Sequence, residues 1–192
     1  MNKRMFFKNT IRILVAMGIF TALQSAANAL ASAGMLDPTF GSNGIVTTKF
    51  NNMPSSASEV VLQTDGKIIT LGTIKLNDDQ SNKIITRYNS NGTVDNTYGV
   101  NGSTLIEVEL FSGSKIALQP GGKLIVGGKS GDEFAVVRYN VNGTLDTTFG
   151  TNGRGVYDLG GSDVHQSLGD IAIQPDGKIV VVGDVSASQS TR

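Results

Sequence analysis

The stretch that decides the fold is residues 138–154, Arg-Tyr-Asn-Val-Asn-Gly-Thr-Leu-Asp-Thr-Thr-Phe-Gly-Thr-Asn-Gly-Arg. It occurs 51 residues earlier, at residues 87–103, as Arg-Tyr-Asn-Ser-Asn-Gly-Thr-Val-Asp-Asn-Thr-Tyr-Gly-Val-Asn-Gly-Ser. Its second half occurs once more at residues 36–44. Self-similarity with a period of about 50 residues indicates a repeat architecture.

A second phrase lies between these copies. It reads Leu-Gln-Thr-Asp-Gly-Lys at 62–67, Leu-Gln-Pro-Gly-Gly-Lys at 118–123 and Ile-Gln-Pro-Asp-Gly-Lys at 173–178. Proline presets φ at the first turn position and glycine supplies a positive φ, so the phrase predicts a hairpin with a type I turn and a glycine bulge. We expect Gln63, Gln119 and Gln174 to occupy equivalent places on successive sheets.

Short runs of β-branched and apolar residues surround each hairpin, and one unit contains four of them: 102–108, 114–119, 123–126 and 133–139. Four strands in 50 to 55 residues are typical of a β-propeller blade. The run at 179–182, Ile-Val-Val-Val, predicts a strand that is buried on both faces. We interpret the phrase Leu-Asp-x-Thr-Phe-Gly-x-Asn-Gly as a connector between the last strand of one blade and the first strand of the next.

The first 33 residues differ in kind from the rest. A mostly apolar run at 13–23 is followed by two candidate Ala-x-Ala cleavage sites, at 27–29 and 31–33. The basic residues that precede or begin this run are Lys3, Arg4, Lys8 and Arg12. This layout predicts a signal-peptide helix and export to the cell envelope or medium, with an uncleaved anchor as the alternative. The run is too short for a stable membrane span across about 30 Å of hydrocarbon.

Charge and cysteine content narrow the class of protein. The chain has 16 basic and 16 acidic residues, and residues 1–33 hold four of the basic and none of the acidic ones, so the remainder carries a net charge of −4. Nucleic-acid binding requires a basic patch, so we expect no nucleic-acid partner. No cysteine is present, which excludes disulfides and thiolate metal sites. Export without disulfides is typical of a bacterial envelope or secreted protein with a large core.

The two phrases together closely resemble the delta-60 repeat, a bacterial β-propeller repeat of cell-surface and secreted proteins. The resemblance covers residues 36–184 and implies a propeller fold and export, but it brings no catalytic residues. We therefore expect an all-β fold, a partial β-propeller of about three four-stranded antiparallel blades at 34–184, preceded by a signal peptide at 1–33. The repeats are expected at about 36–93, 94–144 and 145–184, the last incomplete, with a polar tail at 185–192.

Closed propellers have four to eight blades, which is more than this chain holds. The sequence leaves three explanations open. The chain is a fragment of a longer protein, a truncated gene product, or a subunit that completes its ring by self-association.

The recurrent charged residues are candidates for chemistry. Asp37, Asp95 and Asp146 lie in the connector phrase, where a carboxylate that accepts backbone N–H bonds is favoured over a calcium loop, because the alternating Asp-x-Asp-x-Asp-Gly pattern is absent. Arg87 and Arg138 are expected to stack on an aromatic ring or to pair with a connector aspartate between blades, rather than to line a binding face. The lysines after the hairpin turns are expected to be solvated: Lys67, Lys123 and Lys178.

Other polar residues receive structural interpretations. His165 is the single histidine and is expected in a loop without a catalytic role, because no second histidine or cysteine supports a metal site. Glu107 with Glu109, and Asp78 with Asp79, are interpreted as solvated pairs. The Asn-Gly-Ser/Thr triplets that begin at Asn91, Asn101 and Asn142 are interpreted as turns rather than glycosylation sites. We predict no catalytic, cofactor-binding or metal-binding residue.

Repetition without a unique polar cluster favours a non-catalytic, exported propeller module. Its loops at one end of the blades would form a binding or scaffold surface for an unidentified protein or glycan. Two alternatives remain at this point: a propeller-type hydrolase or lyase with a metal in its central channel, and a non-functional remnant of a longer propeller protein.

Overall fold

The computed structural model describes residues 11–14, 34–77, 80–106, 114–158 and 164–187. Within these ranges all the regular structure is β-strand. The strands are β1 Ile11–Leu14, β2 Ile45–Thr48, β3 Ser55–Leu62, β4 Ile68–Lys75, β5 Ser81–Tyr88, β6 Ser103–Ile106, β7 Lys115–Leu118, β8 Leu124–Ser130, β9 Glu133–Tyr139, β10 Arg154–Tyr157, β11 Val164–Ile173 and β12 Ile179–Ala187.

Two complete antiparallel sheets form the centre of the fold. Strands β3, β4, β5 and β6 make the first, which we call blade A, and β7, β8, β9 and β10 make the second, blade B. In both, strands that follow one another along the chain are neighbours in the sheet. Strands β11 and β12 pair as a third, two-stranded sheet. The all-β fold and the four-stranded antiparallel sheets predicted from the sequence are confirmed.

In its one described part, the N-terminal segment does not form the helix that was expected of a signal peptide. Of residues 1–33 the structure describes only β1, Ile11–Leu14, and this segment is a strand that pairs antiparallel with β2. The remainder of the predicted signal peptide, and residues 188–192 of the predicted polar tail, lie outside the described residues.

The connector phrase lies inside a blade, so its interpretation as a link between blades is wrong. Strands β5 and β6 flank the phrase and pair with each other in blade A, with Thr86 opposite Ser103. The reversal is local: Gly102 N–H donates to Tyr98 O (2.9 Å), and Arg87 N–H donates to Gly102 O (3.0 Å). The strand predicted to open each repeat therefore closes the preceding sheet.

The core lies between the sheets. The cluster between blades A and B includes Ile69, Leu71 and Ile85 from blade A, and Leu124, Val126 and Val137 from blade B. The opposite face of blade B contributes Ile125, Phe134 and Val136, which pack on Leu168 and Ile171 of the third sheet. Strand β8 is thus buried on both faces, as its sequence predicts.

Strand β12 does not follow the same prediction. Its apolar run was expected to be buried on both faces, but Val180 is 40% exposed and Val182 is 56% exposed. In β8 the corresponding face is covered by the next sheet, whereas β12 belongs to the last sheet among the described residues and pairs only with β11 there. The apolar sequence of β12 therefore predicts more burial than the described residues provide.

Candidate functional site

Each complete blade contains one cluster of charged side chains. In blade A the Asp95 carboxylate accepts hydrogen bonds from Arg87 Nε and Lys67 Nζ, both at 2.8 Å. Its second oxygen accepts from the Thr97 backbone N–H (3.1 Å) and hydroxyl (2.6 Å). The sequence pattern Asp-x-Thr favours this short turn, in which the carboxylate caps its own backbone.

Blade B repeats the cluster in its own residues. The Asp146 carboxylate accepts from Arg138 Nε at 2.7 Å and from Lys123 Nζ at 2.6 Å. Thr148 takes the place of Thr97, with its hydroxyl 2.6 Å from Asp146 Oδ1. Two independent copies with the same geometry indicate that the cluster belongs to the repeat and is not specific to one blade.

Both aspartates are held in the charged form. The hydrogen bond from Lys67, then that from Thr97, hold the pKa of the Asp95 carboxyl well below its usual value. Lys123 and Thr148 lower the pKa of Asp146 in the same way. A general acid needs a proton to give near neutral pH, and these carboxylates have none there. The clusters are therefore suited to holding the connector in place rather than to acid–base chemistry.

The arginines of the clusters also stack on aromatic rings. The Arg87 guanidinium lies 4.6 Å from the centre of the Tyr98 ring, and that of Arg138 lies 4.7 Å from the centre of the Phe149 ring. Stacking and pairing with an aspartate are both confirmed, but within one blade rather than between blades. The contact of Arg87 with the neighbouring blade goes to a backbone carbonyl, Val141 O, at 2.7 Å.

The lysines after the hairpin turns fall into two groups. Lys67 and Lys123 bind the connector aspartates while their side chains remain 31% and 39% exposed, so they are only partly solvated. The reason is the sheet register. It puts Ile68 opposite Tyr88, the last residue of β5, and so brings Lys67 beside the chain that leaves β5. Lys178 is solvated as expected, with its side chain 76% exposed and paired to Asp176 of its own turn.

We expect the Asp95→Asn variant to have a melting temperature several degrees lower than the wild type, because the substitution leaves Arg87 and Lys67 without their shared anion. The hydrogen bonds from Lys67 and Thr97 hold the folded pKa of Asp95 well below its usual value, so its stabilising charge is complete above about pH 5 and is lost progressively as the pH falls toward that folded pKa. The variant should therefore lose less stability than the wild type between pH 5 and pH 2.

The matched control is Asp65→Asn, which changes an exposed hairpin carboxylate. Asparagine suits the same turn, so this variant should keep the melting temperature and the acid dependence of the wild type. Thermal denaturation followed by circular dichroism from pH 2 to pH 7 measures both. Equal acid dependence of Asp95→Asn and the wild type would contradict the role given to this carboxylate.

A groove of about 640 Å³ lies where the hairpin turns of all three sheets meet. Each turn contributes the same position of the repeat, and the glutamines that line the groove are Gln63, Gln119 and Gln174. The turns close alike, with the glutamine N–H donating to the lysine carbonyl four residues later at 2.8 to 2.9 Å. The expectation that these glutamines occupy equivalent places on successive sheets is confirmed.

One of these glutamines also links neighbouring sheets. Gln119 Nε2 donates to Gly177 O of the next hairpin at 2.6 Å. Gln63 Oε1 is buried and has no hydrogen-bond partner among the described residues. The first strands of the sheets, which lead into these turns, approach one another, β3 to β7 and β7 to β11. The groove therefore lies at one end of the strands that form the inner edge of the stack.

The groove offers polar and apolar surface together, and its polar lining includes one carboxylate, Asp65. Turn backbone and glutamine amides supply hydrogen-bonding groups, while Leu62 is 50% exposed and Val141 is 47% exposed along its wall. Sequence reasoning treated these phrases only as turns. The spacing of the three glutamines was the signal that could have predicted a shared surface.

Three stretches of the chain match the family model described as "Domain of unknown function (DUF5122) beta-propeller", at residues 63–98, 119–149 and 174–192. These are β-propeller repeats. Each match begins at the hairpin glutamine, and the first two extend into the connector, so the repeat takes in the groove and the charged cluster. Comparison with curated proteins and with solved structures finds no match.

The asparagine triplets act as turns in these propeller repeats, as predicted. Asn91 Oδ1 accepts from the Thr93 N–H at 3.0 Å, and Asn142 Oδ1 accepts from the Thr144 N–H at 3.1 Å. Asn101 lies in a turn with φ of 51°. The connector aspartates are turn residues too, and Asp37 accepts from the Thr39 N–H at 2.9 Å.

Of the remaining candidates, the structure describes only His165. His165 lies in β11 rather than in a loop, with its backbone opposite Ser186. Glu107, Glu109, Asp78 and Asp79 lie outside the described residues. In the part of the chain that the structure describes, no three histidine or acidic side chains come together in a group that could hold a metal ion. No helix in that part has the length and apolar character of a membrane span.

Proposed function

We propose that this chain is an exported, non-catalytic β-propeller module of the delta-60 type, and that its groove of hairpin turns binds a neutral polar ligand of the glycan or extended-peptide class. The observation that carries the proposal is the convergence of three equivalent hairpin turns on one groove. The composition of residues 1–33 supports export. The long paired phrases support the delta-60 assignment.

The chemistry of the groove favours a ligand without a negative charge. Its hydrogen-bonding groups are glutamine amides, turn backbone, the Thr64 hydroxyl and one carboxylate, Asp65, which together can donate and accept, as sugar hydroxyls and peptide groups require. Its exposed leucine and valine side chains suit the apolar face of a sugar ring or a small side chain. The carboxylates of Asp95 and Asp146 are already bound to arginine and lysine, so they are not available to attack a substrate.

The test is binding of fluorescently labelled protein to an array of soluble oligosaccharides and extended peptides, followed by titration of the strongest ligand. Leu62→Glu puts a charge on the groove wall and should weaken binding at least tenfold. The control is Leu105→Glu, because Leu105 is 45% exposed but lies on β6, outside the groove. Both variants should melt within a few degrees of the wild type, since both side chains are largely exposed.

Two results would overturn the binding proposal: no array ligand bound by the wild type, or equal loss of binding in both variants. Export is checked separately by N-terminal sequencing of the protein recovered from the periplasm or medium of a bacterial host. A first residue of 30 or 34 is expected, from cleavage after Ala29 or Ala33. Protein that stays in the cytoplasm with residues 1–33 attached would contradict it.

A further inference from the structure

We propose that the groove of hairpin turns binds a neutral saccharide through two adjacent hydroxyl groups, with the Asp65 carboxylate as hydrogen-bond acceptor and the Gln63 amide as donor. This assignment rests on the proposed function, since it names the ligand class of the same groove. Gln63 and Asp65 belong to the hairpin of blade A, two positions apart, and both line the groove. Gly121 and Gly122 line it from the hairpin of blade B, so this part of the groove lies between two complete sheets.

Among the described residues, only one oxygen of the Asp65 carboxylate has a hydrogen-bond partner. Oδ1 accepts from the Lys67 N–H of the same turn at 3.1 Å, which fixes the orientation of the carboxylate, and Oδ2 accepts from no described group. The Lys67 ammonium is bound to Asp95 at 2.8 Å, so it does not compensate the charge of Asp65 directly. Hydrogen bonds to a carboxylate are shorter and stronger than those between neutral groups. Asp65 is therefore suited to accept a hydroxyl of a ligand.

The Gln63 amide differs from its counterpart in blade B, because its side chain makes no hydrogen bond to a described residue. Gln119 Nε2 donates to Gly177 O of the following hairpin at 2.6 Å. For Gln63 the residue in the place of Gly177 is Gly122, and a Cβ added at Gly122 would lie 3.9 Å from Gln63 Nε2. The Gln63 amide therefore lies beside the next hairpin without bonding to it, and its N–H groups can donate to a ligand.

Gly121 leaves room for a ligand beside these two side chains. It holds in the second hairpin the position that Asp65 holds in the first, and a Cβ added there would meet no atom within 4 Å. Leu62 and Val141 are about half exposed along the wall and offer apolar surface to the C–H groups of a sugar ring. The groove volume of about 640 Å³ falls within the usual range for ligand sites, roughly 300–1,000 Å³.

The lining of the groove favours a saccharide over an extended peptide. The groove crosses the ends of three strands and takes one strand residue from each: Leu62 of β3, Leu118 of β7 and Ile173 of β11. Within this described lining no strand edge runs along the groove, whereas extended peptides are commonly held by main-chain hydrogen bonds to such an edge. A sugar hydroxyl can donate and accept, so two adjacent hydroxyls match an acceptor and a donor on one turn.

The test is titration of the fluorescently labelled full chain with short neutral oligosaccharides of glucose, mannose and galactose, and with an uncharged peptide of serine and glycine. Each oligosaccharide is compared with a copy in which periodate has cleaved the carbon–carbon bond between adjacent hydroxyls and borohydride has reduced the resulting aldehydes. We expect saturable binding of at least one intact oligosaccharide, and binding of its cleaved copy that is at least tenfold weaker.

The role of the carboxylate is tested with Asp65→Asn. Asparagine keeps the turn and replaces the unbound carboxylate oxygen with an NH2 group, so oligosaccharide binding should weaken about tenfold. Asp176→Asn is the matched control. Asp176 holds the same position in the third hairpin but lies outside the groove, and its Oδ2 accepts from Lys178 Nζ at 2.6 Å. This variant should bind the oligosaccharide as the wild type does.

The room at Gly121 is tested with Gly121→Asn, which puts a side chain into the groove and should weaken oligosaccharide binding at least tenfold. Gly131→Asn is its control, because Gly131 also has a positive φ and open space around it but lies outside the groove. Asparagine adopts the left-handed region more readily than most residues, so both variants should melt within a few degrees of the wild type.

The outcomes separate the saccharide assignment from the proposed function. Binding of the peptide but of no oligosaccharide would overturn the assignment and leave the groove as a binding site. Equal effects of Asp65→Asn and Asp176→Asn, or of the intact and cleaved oligosaccharides, would do the same. Binding of no probe would also overturn the assignment, whereas the proposed function fails only if the wider array gives no ligand either.

Discussion

Gly143→Ala is expected to lower the free energy of unfolding by about 3–5 kcal/mol, from the αL penalty, overpacking and lost hydrogen bonds together. Gly143 has φ of +86°, and an added Cβ would lie 2.8 Å from the Tyr98 ring and 2.9 Å from both Gly99 N and Thr104 Oγ1. This turn of blade B rests directly on the connector of blade A. Gly99 N is a backbone atom that cannot move aside, and the Tyr98 ring is fully buried, so the added methyl group has little room.

The Gly143→Ala substitution would also break hydrogen bonds across this contact. Gly99 N–H donates to Asn142 O at 2.8 Å, and the Thr104 hydroxyl donates to Gly143 O at 2.9 Å. A turn pushed away from blade A breaks both at once. The equivalent contact one repeat earlier has the same form, with Gly41 N–H donating to Asn91 O at 2.9 Å.

Gly177→Ala is the matched control for Gly143→Ala. Gly177 has φ of +84°, but an added Cβ there would meet no atom within 4 Å. Gly177→Ala should therefore lower the free energy of unfolding only by the cost of placing alanine in the left-handed region, about 1–2 kcal/mol. Urea denaturation of the two variants separates the backbone cost from the contact between blades. Equal losses of stability would show that the turn of blade B does not depend on its contact with blade A.

The turn conformations and the hydrogen bonds within the turns could be predicted from the sequence, because they depend on residues that are neighbours along the chain. The hairpin glycines have φ of 83° to 85° at Gly66, Gly122 and Gly177, which is the conformation that the turn phrase demands. The Asp-x-Thr turns follow from the same reasoning, since a carboxylate reaches a backbone N–H two residues later. In both cases the partner is a few positions away, and the sequence pattern contains it.

Pairing between distant residues could not be predicted in the same way. The strand after the connector could join either the preceding sheet or the next one, and its own sequence does not distinguish the two. The choice depends on the bond from Arg87 N–H to Gly102 O, which joins residues on opposite sides of the connector. The salt bridges of Lys67 and Lys123 were missed for the same reason, because they depend on sheet register rather than on sequence spacing.

The last prediction measures how much of the stability comes from contact between sheets. Ile125 in β8 and Val180 in β12 hold the same position in the repeat, and both face away from the preceding sheet. Ile125 is fully buried against the third sheet, whereas Val180 is 40% exposed. Ile125→Ala should lower the free energy of unfolding by about 2–5 kcal/mol, because the lost methyl groups leave a cavity that packed sheets fill poorly.

Val180→Ala should lower the free energy of unfolding by less than about 1 kcal/mol, because the side chain packs on no further sheet among the described residues. Guanidinium denaturation of both variants gives the difference, with an unchanged slope showing that the unfolded states are comparable. A β-propeller sheet is stabilised chiefly by the sheets on either side of it, since a single sheet cannot bury both of its faces. A loss for Val180→Ala as large as that for Ile125→Ala would mean that the outer face of β12 is covered in solution, and a small loss for both would mean that stability resides within each sheet.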